Sequence, residues 1–369
     1  MKGKRIRRYA TMVLGAGAML TALLALSPNT TVGYLTRQGY FQVELLAGRV
    51  PLEEARASAG YRDAQLTRLD WIREIQAFGD DLGLASGDSY TTINPSWKRT
   101  IYNVSACQRL AFRPVRWHFP IVGRVPYLGF FRREDALQRR EALEAQGYDT
   151  YVRKAGAYST LGWFRDPVLP HMLAWPEGTL ANTLLHERAH ATLWVPGSVR
   201  FNESFANFVG NEAQLRYLAS TYGEDSDEVG EERRRREDRA HYRTLLHEIY
   251  AALDALYGDP ERSQGEKLRD KGLVLAAIPT RVAALHLHHH EKYMQAVRRG
   301  PWNNARLVQF RTYHTSHEQF ALLLEQEGGA LVAFIERVEA ICRGANNPYA
   351  ALAAATGFEP PPEDSVENF

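Results

Sequence analysis

Cysteine is almost absent from this chain: Cys107 and Cys342 are the only two among 369 residues. Two thiols cannot build a thiolate zinc finger, and they leave room for one disulfide, between positions that spacing alone does not pair. No cysteine stands near the N-terminus, so a lipid anchor of the bacterial lipoprotein type is not expected. An excess of one charge is missing too. The 45 Lys and Arg nearly balance the 43 Asp and Glu, for a net charge of +2. No broad basic surface follows, and nucleic acid is not an expected partner. The one basic run, Arg233–Arg236, is flanked by Glu231, Glu232, Glu237 and Asp238 and reads as a solvated helix face. Apolar residues at 45% and charged ones at 24% exclude both a disordered chain and a protein of many membrane spans. A chain of this length buries a core able to hold a dry active site, in one large domain or two lobes.

Long apolar runs are equally scarce, with one exception. Lys2, Lys4, Arg5, Arg7 and Arg8 precede an uncharged run from Tyr9 to Tyr34, whose core, Ala10 to Leu26, is rich in Leu and Ala. A basic head followed by an apolar stretch is an export signal. Ala25-Leu26-Ser27 offers a small-x-small cleavage site, but Pro28 would follow the cut. Residues 1–33 are therefore expected to be a signal peptide or an N-terminal membrane anchor. The anchor is the favoured form, with the remainder of the chain outside the cytoplasm, in the periplasm or cell envelope.

Beyond this segment the pattern turns helical. Leu35, Gln38, Phe41, Leu45 and Leu46 recur at three- and four-residue steps, as do Leu66, Leu69, Ile72, Ile75 and Phe78, with Pro51 between the two runs. The N-terminal helices of residues 34–87 are expected to pack on the catalytic body, a membrane-surface role being the alternative. Residues 88–178 form a β-rich region. Short strands are predicted over 90–93, 100–104, 111–116 and 127–131, then a helix over 132–146 and a strand over 148–154, giving a βαβ unit. The stretch from Tyr158 to Pro167 is an edge strand over the next helix, able to hold a substrate backbone, or a plain structural strand. Residues 179–345 read as a helical catalytic region, with predicted helices over 225–257, 262–298, 303–326 and 330–343. A partly disordered tail is expected over 346–369.

One stretch carries chemistry. His186-Glu187-Arg188-Ala189-His190 places two imidazoles four residues apart, on one face of a helix, where both can reach one metal ion. Glu187 follows the first ligand, positioned to take a proton from a zinc-bound water. Val195-Pro196-Gly197 is expected to end this helix, and Asn202 to cap the next. Glu203, in the first turn of that second helix, is the third ligand by this reading, the alternative being a glutamate favoured there by the helix dipole. Ala206, Gly210 and Ala213 form a small-residue stripe that lets the two helices approach closely. Asn207 or Glu212 would accept a ring N–H from a ligating histidine.

His-Glu-x-x-His followed by Asn-Glu-x-x-Ala resembles the glutamate-ligand zinc peptidases, the thermolysin-like gluzincins. Four segments together resemble the bacterial putative aminopeptidase family. They are Tyr-Ser-Thr-Leu-Gly-Trp-Phe-x-Asp-Pro (158–167), Leu-His-Glu-x-Ala-His (185–190), Phe-Asn-Glu-Ser-Phe-Ala (201–206) and Asn-Asn-Ala-Arg-Leu (303–307). The similarity runs from Tyr34 to Arg343 and implies His186, His190 and Glu203 as ligands of one zinc ion, with Glu187 as base. The Gly-x-Met-Glu-Asn motif that holds the substrate amine in well-studied zinc aminopeptidases is absent. Such a site uses a tyrosine or histidine to stabilise the oxyanion, and Tyr313, just after the fourth segment, fills that role or a structural one. Asp166 binds a substrate amine or serves a turn before Pro167. The tract His286, His288, His289, His290 and Glu291 is a polar helix surface or a second metal site.

These residues lead to an α+β, mostly helical fold, with zincin-like catalytic helices preceded by a small β-rich region. The expected function is a zinc-dependent peptidase, an aminopeptidase by the resemblance, acting on peptide or protein substrates. The alternative is a non-catalytic, zinc-stabilised envelope scaffold or binding protein.

Overall fold

A computed structural model describes residues 27, 29–58, 60–85, 89–119, 123–156, 165–311 and 317–358. Most of the N-terminal basic and apolar segment, residues 158–164 of the expected edge strand, Tyr313 and the end of the tail lie outside them. Among the described residues no helix is long and apolar enough to cross a membrane. The architecture is mostly helical α+β, as expected.

The N-terminal part follows its apolar periodicity. Helix α1 (Thr31–Ala47) is capped by the Thr30 hydroxyl and buries Gly33, Phe41, Gln42 and Leu45. Leu35, expected on the buried stripe, points outward instead. Strand β1 (Val50–Pro51) and the short α2 (Leu52–Ala57) lead into α3 (Asp63–Asp81). Leu69, Ile72 and Ile75 of α3 enter the main core, and Leu66 and Phe78 pack against its edge. Pro51, at the turn between runs, cannot donate the N–H that a continuous helix requires.

The strands lie where short β-branched runs were expected, with shifted bounds. Only β2 (Thr92–Ile93) forms from the first run, pairing antiparallel with β1, because Tyr90 takes a left-handed conformation at φ 61°. Strand β3 spans Tyr102–Cys107. No strand forms over 111–116, where Pro114 makes a single bridge to Cys107; a two-stranded ribbon of β4 (Trp117–Phe119) and β5 (Gly123–Val125) follows instead. Proline removes a ladder donor, which explains why pairing stops there. Strand β6 (Leu128–Phe130), helix α4 (Arg133–Ala145) and strand β7 (Asp149–Lys154) give the expected strand–helix–strand order. The adjacency differs from a simple βαβ unit. β3 lies between β6 and β7 and runs antiparallel to both, so the outer strands are parallel but never touch. Val104, Ala106, Leu128, Phe130, Ala136 and Leu143 close a small core between this sheet and α4.

A 3-10 turn (Pro170–Ala174) delivers the chain to α5 (Glu177–Thr192), followed by α6 (Val199–Tyr222) and α7 (Asp227–Gly258). The helix expected over 262–298 is broken into α8 (Gln264–Ala276), α9 (Ile278–Ala283) and α10 (His290–Arg298). Pro279 stands in the first turn of α9, where it fits, and cannot extend α8. The second break holds the histidine tract. Its backbone N–H groups at His288 and His289 donate to Asp238 on α7 at 2.7 and 2.9 Å instead of entering a helix. His289 Nδ1 also meets Asp238 at 2.7 Å and its Nε2 meets Glu231 at 2.7 Å. His286, His288 and His289 thus lie in a loop pinned to α7, while His290 and Glu291 open α10, so only the end of the tract is helix surface. The basic run on α7 is ion-paired throughout: Arg233 with Glu224, Arg234 and Arg235 with Glu231, Arg236 with Glu212 of α6.

The chain continues with α11 (Asn304–Arg311), α12 (His317–Gln326), α13 (Leu331–Cys342) and α14 (Pro348–Thr356). Helices α5 and α6 run through the largest core, with α3 on one side and α12 and α13 on another. A second core joins α7 to the helices that follow it. Cys107 and Cys342 are both free and buried, so no disulfide ties the chain, and burial pushes both thiols up to about 12.

Candidate metal centre

Helices α5 and α6 form a hairpin. Asn182 meets Asn211 and Gln214, His186 lies under Gly210, and Val195 meets Asn202, so residue numbers rise along one helix as they fall along the other. The approach is close because α6 offers no side chain at the crossing. A Cβ built on Gly210 would stand 3.0 Å from the Asn182 carbonyl oxygen and 3.0 Å from His186 Cβ. The small-residue stripe therefore does what was expected of it. The turn departs from expectation in one respect. Ser198, not Asn202, precedes the first residue of α6, and Asn202 lies inside the helix, fully buried. Its side-chain oxygen accepts from Val195 N–H at 2.8 Å and its amide donates to the Val195 carbonyl at 2.9 Å. Asn202 thus satisfies the backbone of the turn that follows α5, a need that an unpaired buried peptide group makes costly. Glu203 accordingly stands past the first turn, beyond the strongest part of the helix dipole.

This hairpin brings His186, His190 and Glu203 together, one ligand atom from each lying within 4.8 Å of the others. His186 Nε2 is 3.8 Å from Glu203 Oε2, and His190 Nε2 is 3.6 Å from Glu203 Oε1. These distances exceed a hydrogen bond. Tetrahedral zinc with bonds of about 2.0–2.1 Å sets its ligand atoms about 3.3 Å apart, so the two His–Glu203 pairs, at 3.8 and 3.6 Å, stand near that spacing. The donor types, two imidazoles and a carboxylate, suit zinc and leave a coordination position open. The imidazole rings are 4.7 Å apart and mutually perpendicular, with the Trp194 ring 5.6 Å from His190.

The electrostatics couple the three groups to one another. Burial, helped by His190, lowers the His186 pKa to about 4, which keeps its nitrogen lone pair free at neutral pH. Burial also opposes charge on His190, but the Glu203 carboxylate overcomes it and raises the pKa. Burial would raise Glu203 as well, yet His190, His186 and Arg153 together hold it below the usual carboxylate range. Among the described residues His190 Nδ1 is buried without a hydrogen-bond partner. Asn207, expected to serve a ligand ring, donates its amide to the Glu203 carbonyl at 2.7 Å, and Glu212 is committed to Arg216 and Arg236. Neither is the expected acceptor.

Glu187 stands beside the triad on α5. Its charge is felt by His190, by Tyr90 and by Tyr127. Arg188 points the other way. It is 2% exposed, and its guanidinium donates to Gln76 Oε1 at 3.0 Å, to the Gln76 carbonyl at 2.6 Å, to Asp80 at 2.5 Å and to the Leu84 carbonyl. Arg188, between Glu187 and His190, is therefore the bolt that fixes α5 to α3.

Two residues near the site carry no motif. Tyr127 keeps 37% of its surface exposed, yet desolvation and then the Glu203 charge push its hydroxyl up to about 12, with Arg153 pulling it back. The Arg153 guanidinium lies 5.8 Å from the Tyr127 ring centre, and its Nε is buried without a partner among the described residues. They meet because β6 and β7 flank β3, with Gly129 and Arg153 both opposite Asn103. No spacing in the sequence announces that. Asp166 is buried; its N–H donates to Ser89 Oγ at 3.2 Å, its carbonyl accepts from Tyr90, and its charge reaches the Tyr90 ring.

Neither a curated protein nor a solved structure matches the chain. Residues 33–349, which include the hairpin and its three converging side chains, match the model of the family described as putative aminopeptidase, and the chain belongs to that family.

Proposed function

We propose that this protein is a zinc-dependent peptidase, an aminopeptidase in keeping with its family, with one metal ion held by His186, His190 and Glu203. The observation that carries the reading is the convergence of these three side chains beside Glu187. Zinc bound there supplies Lewis acidity to a scissile carbonyl and lowers the pKa of water. Glu187 takes the proton from the attacking water as the carbon–oxygen bond forms. It then delivers that proton to the amine as the carbon–nitrogen bond breaks. The Tyr127 hydroxyl and the Arg153 guanidinium are the nearby donors suited to an oxygen that gains negative charge. Asp166 is the carboxylate to meet a substrate amine.

The test combines metal analysis of the purified protein with digestion of a peptide library read by mass spectrometry. One zinc per chain and sequential loss of N-terminal residues are expected. Glu187→Gln should keep the metal and lose at least about 100-fold in rate, the usual scale of general-base catalysis. Hydrolysis that persists in Glu187→Gln would overturn the mechanism. A zinc-loaded wild-type chain that cleaves nothing would favour the scaffold reading.

A further inference from the structure

Helix α1 presents a face that the fold leaves uncovered. Among the described residues nine large apolar side chains are exposed, and four of them, Val32, Leu35, Tyr40 and Val43, stand on this one helix. At about 100° per residue they fall within one sector about 140° wide, opposite the buried Phe41 and Leu45. Tyr40 and Val43 are each 66% exposed. The charged residues of α1 do not interrupt the stripe: Arg37 turns inward to Asp135 at 3.0 Å, and Glu44 is neutralised by Arg99 at 3.4 Å.

A cleft of about 640 Å³ opens beside this helix, with Tyr40 on its wall and Lys98, Arg99, Arg132 and Arg133 around it. Arg99 lies over the Phe41 ring at 4.6 Å, and Glu134 partners Arg132 at 3.7 Å. Four cations against Glu44 and Glu134 leave an excess of positive charge next to an apolar stripe. In sequence, α1 begins just after the basic and apolar run of residues 2–26.

We infer that the exposed face of α1 and the adjoining Lys98, Arg99, Arg132 and Arg133 form a surface that lies on a membrane rich in anionic phospholipid. Apolar side chains of an interfacial helix enter the region between headgroups and acyl chains, while neighbouring cations meet lipid phosphates. An anchor of the kind expected over residues 1–33 would hold α1 at the bilayer and raise the local concentration of this contact. A second copy of the chain is the poorer occupant, because a self-complementary interface would bring the two cationic clefts together. The inference does not depend on the proposed chemistry.

The buried Cys107 and Cys342 allow a direct test, since an introduced surface cysteine can be spin-labelled selectively. The full chain carrying Val43→Cys, labelled with a nitroxide, is reconstituted in vesicles of phosphatidylcholine and phosphatidylglycerol. Accessibility to oxygen and to a soluble nickel chelate is then compared with that of Leu273→Cys, on the exposed face of α8. The Val43 label should favour oxygen over the chelate by several-fold more than the Leu273 label. Lys98→Gln with Arg133→Gln should weaken this preference, as should vesicles of phosphatidylcholine alone. Equal, water-like accessibility at both positions would overturn the inference. So would spin–spin broadening between Val43 labels, which would identify a second copy as the occupant.

Discussion

Gly79 and Arg188 occupy one volume. A Cβ at position 79 would stand 2.9 Å from three atoms of the Arg188 guanidinium, so α3 carries no side chain where the arginine of α5 passes it. The guanidinium cannot yield cheaply, because Gln76, Asp80 and Leu84 hold it from several sides. Gly79→Ala should cost about 1–3 kcal/mol, the scale of overpacking a core. Arg188→Met should cost about 3 kcal/mol by leaving buried carbonyls unpaired. The double variant should be more stable than the sum of the two costs implies, because the methionine vacates the space. Additive denaturation energies in this cycle would show that the two positions are independent.

Gly210 makes the corresponding contact on the other side of α5. Its partners are backbone and the first side-chain carbon of His186, which cannot swing aside. Gly210→Ala should push the helices apart by a few tenths of an ångström, cost about 1–2 kcal/mol and weaken zinc binding about tenfold. Gly230→Ala on α7, where the nearest atom is the Arg234 Nη1 at 3.5 Å, should instead stabilise by about 0.5–1 kcal/mol. Thermal melts and chelator-competition titrations separate these outcomes.

Zinc should raise the melting temperature of metal-free protein. At a free concentration of 100 times the dissociation constant the stabilisation is about 2.7 kcal/mol. His186→Ala or Glu203→Ala should abolish the shift, while Tyr127→Phe should leave it intact. A zinc-induced shift that survives loss of His186 would move the metal elsewhere.

Acid should release the loop that carries His288 and His289. Burial alone would raise the Asp238 carboxyl, but its bonds to His289 and to two backbone N–H groups hold it below the usual range. Glu231 is likewise brought down to about 2, burial being more than offset by Arg235 and His289. Carboxyls depressed in the folded state contribute stability above their unfolded pKa values and lose it as pH falls through the folded ones. Asp238→Asn should therefore lower the melting temperature at pH 7, and the gap from the parent should close as pH falls below about 4. A gap that stays constant down to pH 2 would rule out this linkage.

What local spacing encodes is legible in the sequence alone. The His186–His190 pair needs only one helical turn, and Glu203 only the end of one helix and the start of another. The long α7 and the apolar faces of α3 and α13 follow from the 3.6-residue period. What needs tertiary partners was not legible. Arg188 occupies a variable place in its motif, and only α3 shows that it is a bolt. Tyr127 and Arg153 converge because a strand from earlier in the chain slips between their own. Asn202 has the chemistry of a helix cap, but the demand it meets lies seven residues back, in the peptide group of Val195. His288 and His289 stay out of the following helix, their N–H groups held by Asp238 of α7.

The pairing of Asn202 with Val195 has a consequence for how the proposed metal ion would be gained and lost. With both polar groups of the turn satisfied and Arg188 bolted on the far side, the ordering entropy of the ligand frame is met by the fold itself. Nothing large is left for the ion to organise, in contrast to a zinc finger, whose chain collapses only around its metal. Chelation should consequently strip the site without melting the helices. The emptied protein should keep its helical signal and lose only the stabilisation that ion binding adds.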